Sequence, residues 1–280
     1  MQTESREPSF SERYYDAPNQ RLVYIGRSAT PEMWDALWTS SEQAVRDALK
    51  PGRGTKWLTK LTRRYVPPGG GRILEGGCGL GHNVSALRRA GYETTGIDFA
   101  PETVAILRRL APELGIFLGD LRSLPFADAS FAAYWSLGVI EHFYFGYDLL
   151  AGEMTRVIRP GGYLFLTFPC MSPLRRLRAA IHGYPPFQPG GEPVNFYQFA
   201  LDPRRVIAEF ERWGFRKRYQ TSMSGLQGLK DEVPLFRPAL QVLHDYSGRS
   251  LLLRGGRFLM ERLAPLGAGH SCILVLQKMS

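Results

Sequence analysis

The sequence predicts a doubly wound α/β fold, and three observations carry that reading. From Arg72 to Phe168 short strand-like runs alternate with helical runs, the order that gives a mainly parallel sheet with helices on both faces. Tyr163–Phe168 is almost wholly apolar, as a strand covered on both sides must be. Turn residues punctuate the series: Gly76-Gly77-Cys78-Gly79-Leu80-Gly81 after the first strand and Arg159-Pro160-Gly161-Gly162 before the fifth.

Residues 1–30 lack clean periodicity and carry Phe10, Tyr14, Tyr15 and Tyr24, the look of an extension laid over a core. A helical stretch is expected from about Glu32 to Tyr65, interrupted near Pro51–Gly54, with Trp34, Leu37 and Trp38 on one face. Pro67-Pro68-Gly69-Gly70-Gly71 ends this preamble. The first strand is Arg72–Glu75, followed by the glycine turn and a helix to about Ala90. Tyr92–Ile97 is the second strand, and Pro101 opens the next helix, through Leu110, at a position where its missing N–H costs nothing. Ile116–Leu118 and Phe131–Ser136 are the third and fourth strands; a helix at about Leu149–Ile158 leads into the fifth, Tyr163–Phe168. Two later strands, Phe215–Thr221 and Ser271–Lys278, complete the set, the last expected antiparallel beside the fifth. This divides the chain into an N-terminal extension with helices covering the site, 1–66, and a main domain, 67–280. Two segments, at about 171–199 and 222–269, break the alternation as insertions. Loops of that length are usually functional covers or disordered. Because ligands of such sheets sit beyond the carboxyl ends of the strands, Met171–Phe199 is expected to form part of a substrate lid.

Bulk properties narrow the classes. With 44% hydrophobic and 22% charged residues the chain reads as a globular domain rather than a disordered one. No apolar run approaches bilayer length, and Met1–Arg13 has no signal-peptide core, so a cytoplasmic location is expected. Cys78, Cys170 and Cys272 are scattered and odd in number, with neither disulfide nor metal spacing. A net charge of +9, from 35 Lys and Arg against 26 Asp and Glu, suits an anionic partner, but solvated helix faces account for it as the plainer reading, and net charge alone decides nothing.

The chemistry centres on Ile73-Leu74-Glu75-Gly76-Gly77-Cys78-Gly79-Leu80-Gly81-His82. Gly77, Gly79 and Gly81 come after a strand-terminal carboxylate and open a helix; glycine there lets the main chain approach a ligand closely. The dinucleotide spacing fails, since the position three after Gly79 is His82, and no P-loop is present. Asp98 ends the second strand, 23 positions after Glu75, where a carboxylate can accept both hydroxyls of a ribose. Asp120 ends the third strand 22 positions later, placed for an adenine amino group, with Leu121 supplying backbone contact. Acceptors for a cationic amino-acid end, a ribose and an adenine, with no basic residue for phosphate in the turn, together describe S-adenosylmethionine. Each has a plain alternative: Glu75 as a helix-end cap, Asp120 as a turn residue, Phe99 as packing, Cys78 as a small filler, His82 as a solvent-facing helix residue.

Several ordered segments resemble the class I S-adenosylmethionine-dependent methyltransferases of the small-molecule type. Ile73–Gly81 is similar to their E/D-x-G-x-G-x-G motif, and Gly96-Ile97-Asp98-Phe99-Ala100 to their GxDxS segment, with Ala100 in place of serine. Gly119-Asp120 with Leu124-Pro125-Phe126 resembles the third segment, Ser136–His142 the fourth, and Glu153–Gly162 the helix-to-strand turn. The resemblance covers about Arg72–Phe168. It implies a seven-stranded sheet with a reversed last strand, and the cofactor S-adenosyl-L-methionine. Carried onto this chain, the cofactor-binding residues are Glu75, Gly77, Cys78, Gly79, Gly81, Asp98, Phe99, Asp120, Leu121 and Ser136.

A methyl-transferring enzyme chiefly positions its reactants. A hydroxyl acceptor would profit from a base, and His142, just past the fourth strand, is the candidate; the plain alternative is a structural member of the site wall. His182 and Tyr184 are reserves. The expected acceptor is a small or medium metabolite bearing an anionic group, such as a sugar or natural-product intermediate, methylated on oxygen. Motifs for exocyclic amines of nucleic acid are absent, and no basic, aromatic-interleaved tract tracks a nucleic-acid backbone. A lipid-linked acceptor is the alternative, because Leu174, Leu177 and Ile181 lie at helical spacing among Arg175, Arg176 and Arg178. So is a partner protein that keeps the cofactor site without catalysis.

Overall fold

Along the chain the described residues begin with a hairpin, β1 (Glu12–Asp16) and β2 (Arg21–Ile25), then helices α1 (Pro31–Trp38), α2 (Glu42–Ala48) and α3 (Lys56–Tyr65). Next come β3 (Ile73–Gly76), α4 (His82–Arg89), β4 (Thr94–Asp98), α5 (Pro101–Leu110), β5 (Ile116–Leu118), β6 (Phe131–Leu137), α6 (Asp148–Val157) and β7 (Ile158–Pro169). The remainder is α7 (Pro173–Ala180), β8 (Phe196–Ala200), α8 (Pro203–Arg212), β9 (Phe215–Met223), α9 (Gly225–Glu232), α10 (Arg237–Asp245), α11 (Leu251–Leu263), α12 (Pro265–Ala268) and β10 (Ser271–Lys278). This computed structural model describes residues 12–38, 42–51, 56–188, 190–246, 248 and 250–280. Phe10 and all but Pro51 of the expected break at Pro51–Gly54 lie outside them.

The elements fall into two compact units. One, Thr30–Phe168 with Pro203–Ser222 and Ser271–Ser280, holds a seven-stranded sheet in the order β5-β4-β3-β6-β7-β10-β9. The pairs β3–β4, β4–β5, β3–β6 and β6–β7 are parallel. The last strand is reversed: Lys278, at its end, donates from Nζ to the carbonyl of Ile158 at the start of β7, and Met279 N–H reaches Gly214 just before β9. Strand order therefore switches direction between β3 and β6, the place where such sheets open a crevice at the strands' carboxyl ends. Both faces are covered, which is why β3 and β4 are buried at every position. One face packs Leu58, Leu87, Trp135 and Phe165 together, Trp135 stacked on Phe165 with centroids 4.2 Å apart. Another cluster gathers Val45, Val84, Val104 and Leu107 beside Ile116.

One boundary differs from expectation. Strand β7 begins at Ile158 rather than after Pro160-Gly161-Gly162. Gly161, at φ 75°, lets the backbone turn without leaving the ladder, and the β6–β7 register slips between Phe131 and Ala133 to absorb it.

The other unit comprises Met1–Ala29, Pro169–Asp202 and Met223–His270. Residues 12–25, expected as an irregular extension, are the antiparallel hairpin β1–β2, and β2 pairs antiparallel with β8 in a three-stranded sheet. The reason is local: the Asp16 carboxylate binds Asn19 through backbone and side chain and takes Arg21 Nε at 2.8 Å, bracing a turn that lacks the usual glycine. Leu22, Tyr24, Met171, Tyr184 and Ala200 form its core. Ser172 caps α7 by accepting the Arg175 amide, with Pro173 at the first helical position. Among the described residues no helix is long and apolar enough to cross a membrane.

Candidate functional site

The segments that leave β3, β4 and β6 run side by side at the switch point. After Glu75 the chain enters a turn in which Gly77, Gly79 and Gly81 have φ of 74°, 46° and 68°, a left-handed run that side chains resist. The amides of Gly77 and Cys78 both donate to the carbonyl of Ile97 at 2.9 and 3.2 Å, strapping the turn to β4. Asp98 completes the strap: Oδ2 accepts from Gly79 N–H at 2.7 Å and Oδ1 from Ala100 N–H at 3.0 Å. A carboxylate offers about four lone-pair positions, so capacity for a diol remains. Burial raises the pKa of Asp98 against these amide bonds, which oppose it.

Glu75 is buried, its Oε1 accepting from Asn83 Nδ2 at 2.8 Å and its Oε2 without a partner. Burial pushes its carboxyl up to about 8, with Asn83 opposing and the Asp98 charge adding to the rise. Across the switch point Ser136 pairs in register with Gly76, and its buried Oγ also has no partner. Glu141 is the third such group: buried in the short 3₁₀ turn Ile140–His142, with Oε2 unpartnered and its carboxyl pushed by burial to about 8. Buried polar atoms left unpaired are rare and costly. Three at the ends of β3 and β6 mark a place made for a ligand.

Helix α1 contributes a feature that periodicity alone could not locate. The Trp38 ring lies 3.2–3.5 Å from where a Cβ on Gly79 would sit. Trp38 stacks on Trp34, centroids 5.7 Å apart, and Trp34 meets the His142 ring edge-on at 5.1 Å. The helix is fastened by Asp35, whose carboxylate accepts from the Glu102 and Thr103 amides (3.2 and 2.8 Å) and from the Thr103 hydroxyl, capping α5. Asp35 and Asn83 were not among the residues the sequence singled out, and Glu141 entered only within the Ser136–His142 segment; local spacing gives no signal of the distant groups that folding brings against them.

The structure also places the remaining expected residues. Cys78 is buried, burial holds its thiol protonated, and its sulfur lies 2.7 Å from where a Cβ on Gly96 would sit, the packing of a filler. Phe99 is 40% exposed beside Asp98, and Leu121 is buried. Asp120 is exposed, and its carboxylate is taken up by Arg122, whose Nη2 lies 2.6 Å away and which holds it below the usual carboxylate range. A bond to an adenine amine would have to share that carboxylate. His142 is half-buried against Trp34. The arginines of α7 do not form the exposed basic face that the sequence suggested. Arg175 is fully buried on Glu232 at 2.9 Å, Arg178 pairs with the same carboxylate, and Arg176 pairs with Asp202.

The donor set fits S-adenosylmethionine on one structural observation: Glu75 presents a buried, unpartnered carboxylate oxygen where a cationic ammonium can pair, above a glycine turn with no cation for phosphate. Comparison with known proteins points the same way. Residues 74–166 match the family model described as "Methyltransferase domain". A fatty-acid O-methyltransferase of Mycolicibacterium smegmatis is 36% identical over 102 residues, 35% of this chain and 37% of that protein. A malonyl-[acyl-carrier protein] O-methyltransferase of Serratia marcescens is 28% identical over 254 residues, 86% of this chain and 92% of that one. The chain spans less than half the length of the first curated relatives it matches. The crystal structure of the [4+2]-cyclase SpnF shares the fold, with TM-score 0.54 and 21% identity over 91% of this chain and 98% of that one. Family model, seven-stranded sheet with its reversed last strand, and glycine-turn site agree: residues 74–166 match a methyltransferase domain, set in the fold that class I S-adenosylmethionine-dependent methyltransferases share.

Proposed function

We propose that this chain transfers a methyl group from S-adenosylmethionine to an oxygen of a small or medium metabolite, such as a sugar or natural-product intermediate. The observation that carries it is that Glu75 Oε2, Ser136 Oγ and Glu141 Oε2, at or just past the ends of β3 and β6, are buried and unpartnered. S-adenosylmethionine, when bound, supplies an electrophilic methyl group on a sulfonium. Glu75 holds the cationic amino-acid end, Asp98 the ribose, and the backbone of Gly77–Gly81 the intervening atoms. Trp38 and Trp34 exclude water beside the turn, which strengthens every polar contact within it. His142 takes the proton of a hydroxyl acceptor. An acyl or other lipid-type acceptor is the second reading, supported by the fatty-acid O-methyltransferase among the relatives. Incubation with cofactor labelled on its methyl group and separate pools of polar metabolites, fatty acids and acyl-carrier conjugates tests both; label in none of them sinks the reaction.

Two binding measurements test the cofactor assignments. Asp98→Ala is expected to weaken cofactor binding by about 2–3 kcal/mol, the scale of hydrogen bonds to a charged group. Unchanged affinity in a folded variant removes Asp98 from the ribose. Glu75 predicts a pH effect of definite sign. Its carboxyl is protonated below about 8 when alone, whereas pairing with an ammonium requires the carboxylate. Binding therefore releases a proton, and affinity should rise by up to about tenfold per pH unit as pH climbs towards 8, then level off. Calorimetry in buffers of different ionisation enthalpy counts that proton; none released, with a flat profile, removes Glu75 from the cation.

A further inference from the structure

We propose that the helical segment Pro234–Ala268 docks on an anionic lipid bilayer surface. The first observation is exposed apolar area. On α10 and the turn before it, Leu235, Phe236 and Val242 are exposed by 82, 57 and 65%, and Pro238 and Ala239 lie open beside them. These five positions have i, i+1, i+3, i+4, i+7 spacing, so they share one face. On α11 Phe258, Leu259 and Leu263 are likewise more than half exposed, and Leu266 in α12 is open by 81%. Such density of large exposed side chains marks an interaction surface rather than ordinary surface leucine. Short helices α10, α11 and α12 all pack on α9 of the same unit, so the apolar positions belong to one structural layer.

Charge selects the partner. Pro234–Ala268 holds five arginines (Arg237, Arg249, Arg254, Arg257 and Arg262) against Asp245 and Glu261, a net of +3 with His244 neutral. Among the described residues no acidic side chain pairs with Arg237, Arg254 or Arg262. Arg254, Arg257, Glu261 and Arg262 occupy one side of the α11 wheel, with Phe258 among them, and Leu253, Leu259, Met260 and Leu263 the other. Leucine and methionine on one side and arginine on the other is what an interfacial helix needs: apolar side chains enter the acyl boundary while guanidinium groups meet lipid phosphates. A second copy of the same chain would bring arginine against arginine, and a buried protein core would not be ringed by unpaired cations. The 174–181 helix is excluded from this role because Arg175, Arg176 and Arg178 are held by Glu232 and Asp202.

Co-sedimentation of the full chain with phosphatidylcholine vesicles, with and without phosphatidylglycerol, tests the proposal independently of methyl transfer. Binding is expected only to the anionic vesicles and should weaken as salt rises. Phe258→Glu with Leu263→Glu, both at exposed positions, should lower the partition coefficient by about tenfold or more. Arg254→Gln with Arg262→Gln should lower it by about fivefold for each arginine removed. Equal binding to neutral and anionic vesicles, or variants that bind like the parent, overturns it. So does failure to bind anionic vesicles, and so does sedimentation equilibrium showing a dimer that Phe258→Glu with Leu263→Glu dissolves, since the face then belongs to a second copy.

Discussion

Glu232→Ala is expected to destabilise the unit built from β1, β2, β8, α7 and α9 by about 3–5 kcal/mol, the cost of leaving a buried charge uncompensated. Glu232 is buried and receives Arg175 Nε at 2.9 Å, Arg13 Nη1 at 2.8 Å, Arg178 Nη1 at 3.2 Å and the Tyr184 hydroxyl. Arg175 is fully buried and cannot reach water when its carboxylate is removed; Arg13 and Arg178 are partly exposed and can. Burial pushes the Glu232 carboxyl up, but Arg175 and Arg13 outweigh it and hold it below its ordinary value. A depressed carboxylate contributes stability that is present above its unfolded pKa and lost as pH falls through the folded one. The unit should therefore soften in acid, and Glu232→Ala should lose that dependence. Urea denaturation, with hydrogen exchange read on β1, β2 and α7, measures both. Replacing the pair together, Arg175→Met with Glu232→Leu, should recover much of the loss because no buried ion is left to desolvate. A single-variant loss below about 1 kcal/mol, the scale of a surface pair, would mean the network is not what holds this unit.

His142→Ala is expected to lower kcat by roughly 10²–10⁴-fold with cofactor affinity intact, if a hydroxyl acceptor gives its proton to the imidazole. The parent rate should rise with pH through one ionisation near neutrality, and the variant should lose that limb. Geometry motivates the test: His142 closes the short turn after β6 and meets Trp34, which stacks on Trp38 beside the glycine turn. The neighbouring Glu141, with its carboxyl pushed to about 8, is largely protonated at neutral pH and a poor base there. Tyr184, a reserve in sequence, is a poorer one: burial raises its pKa and so opposes ionisation, and its hydroxyl already serves Glu232. A variant that keeps most of its kcat would make His142 a wall of the site and leave catalysis to positioning.

The legible part of this protein is the part with short-range signals. The alternation from Arg72 to Phe168, Pro101 at a helix start and the carboxylates closing β3 and β4 each depend on residues a few positions apart, so pattern alone locates them. Asp120 shows the limit of that reading: strand-end position suggested a free acceptor, and a neighbour two residues on occupies it. The α7 arginines show it more strongly. Helical spacing drew an exposed cationic face, whereas a carboxylate 57 positions away buries Arg175 entirely.

What the sequence by itself determined is the doubly wound sheet, the glycine turn and the cofactor class, because backbone geometry and local spacing specify them. Only the tertiary structure decided that β1 and β2 pair with β8, that Asp35 fastens α1 to α5 with Trp38 beside Gly79, and that Glu75, Ser136 and Glu141 are buried with unpartnered oxygens. The physical reason is that burial and long-range pairing belong to the packed chain: the same carboxylate is a solvated charge or a poised ligand depending on what folding brings against it.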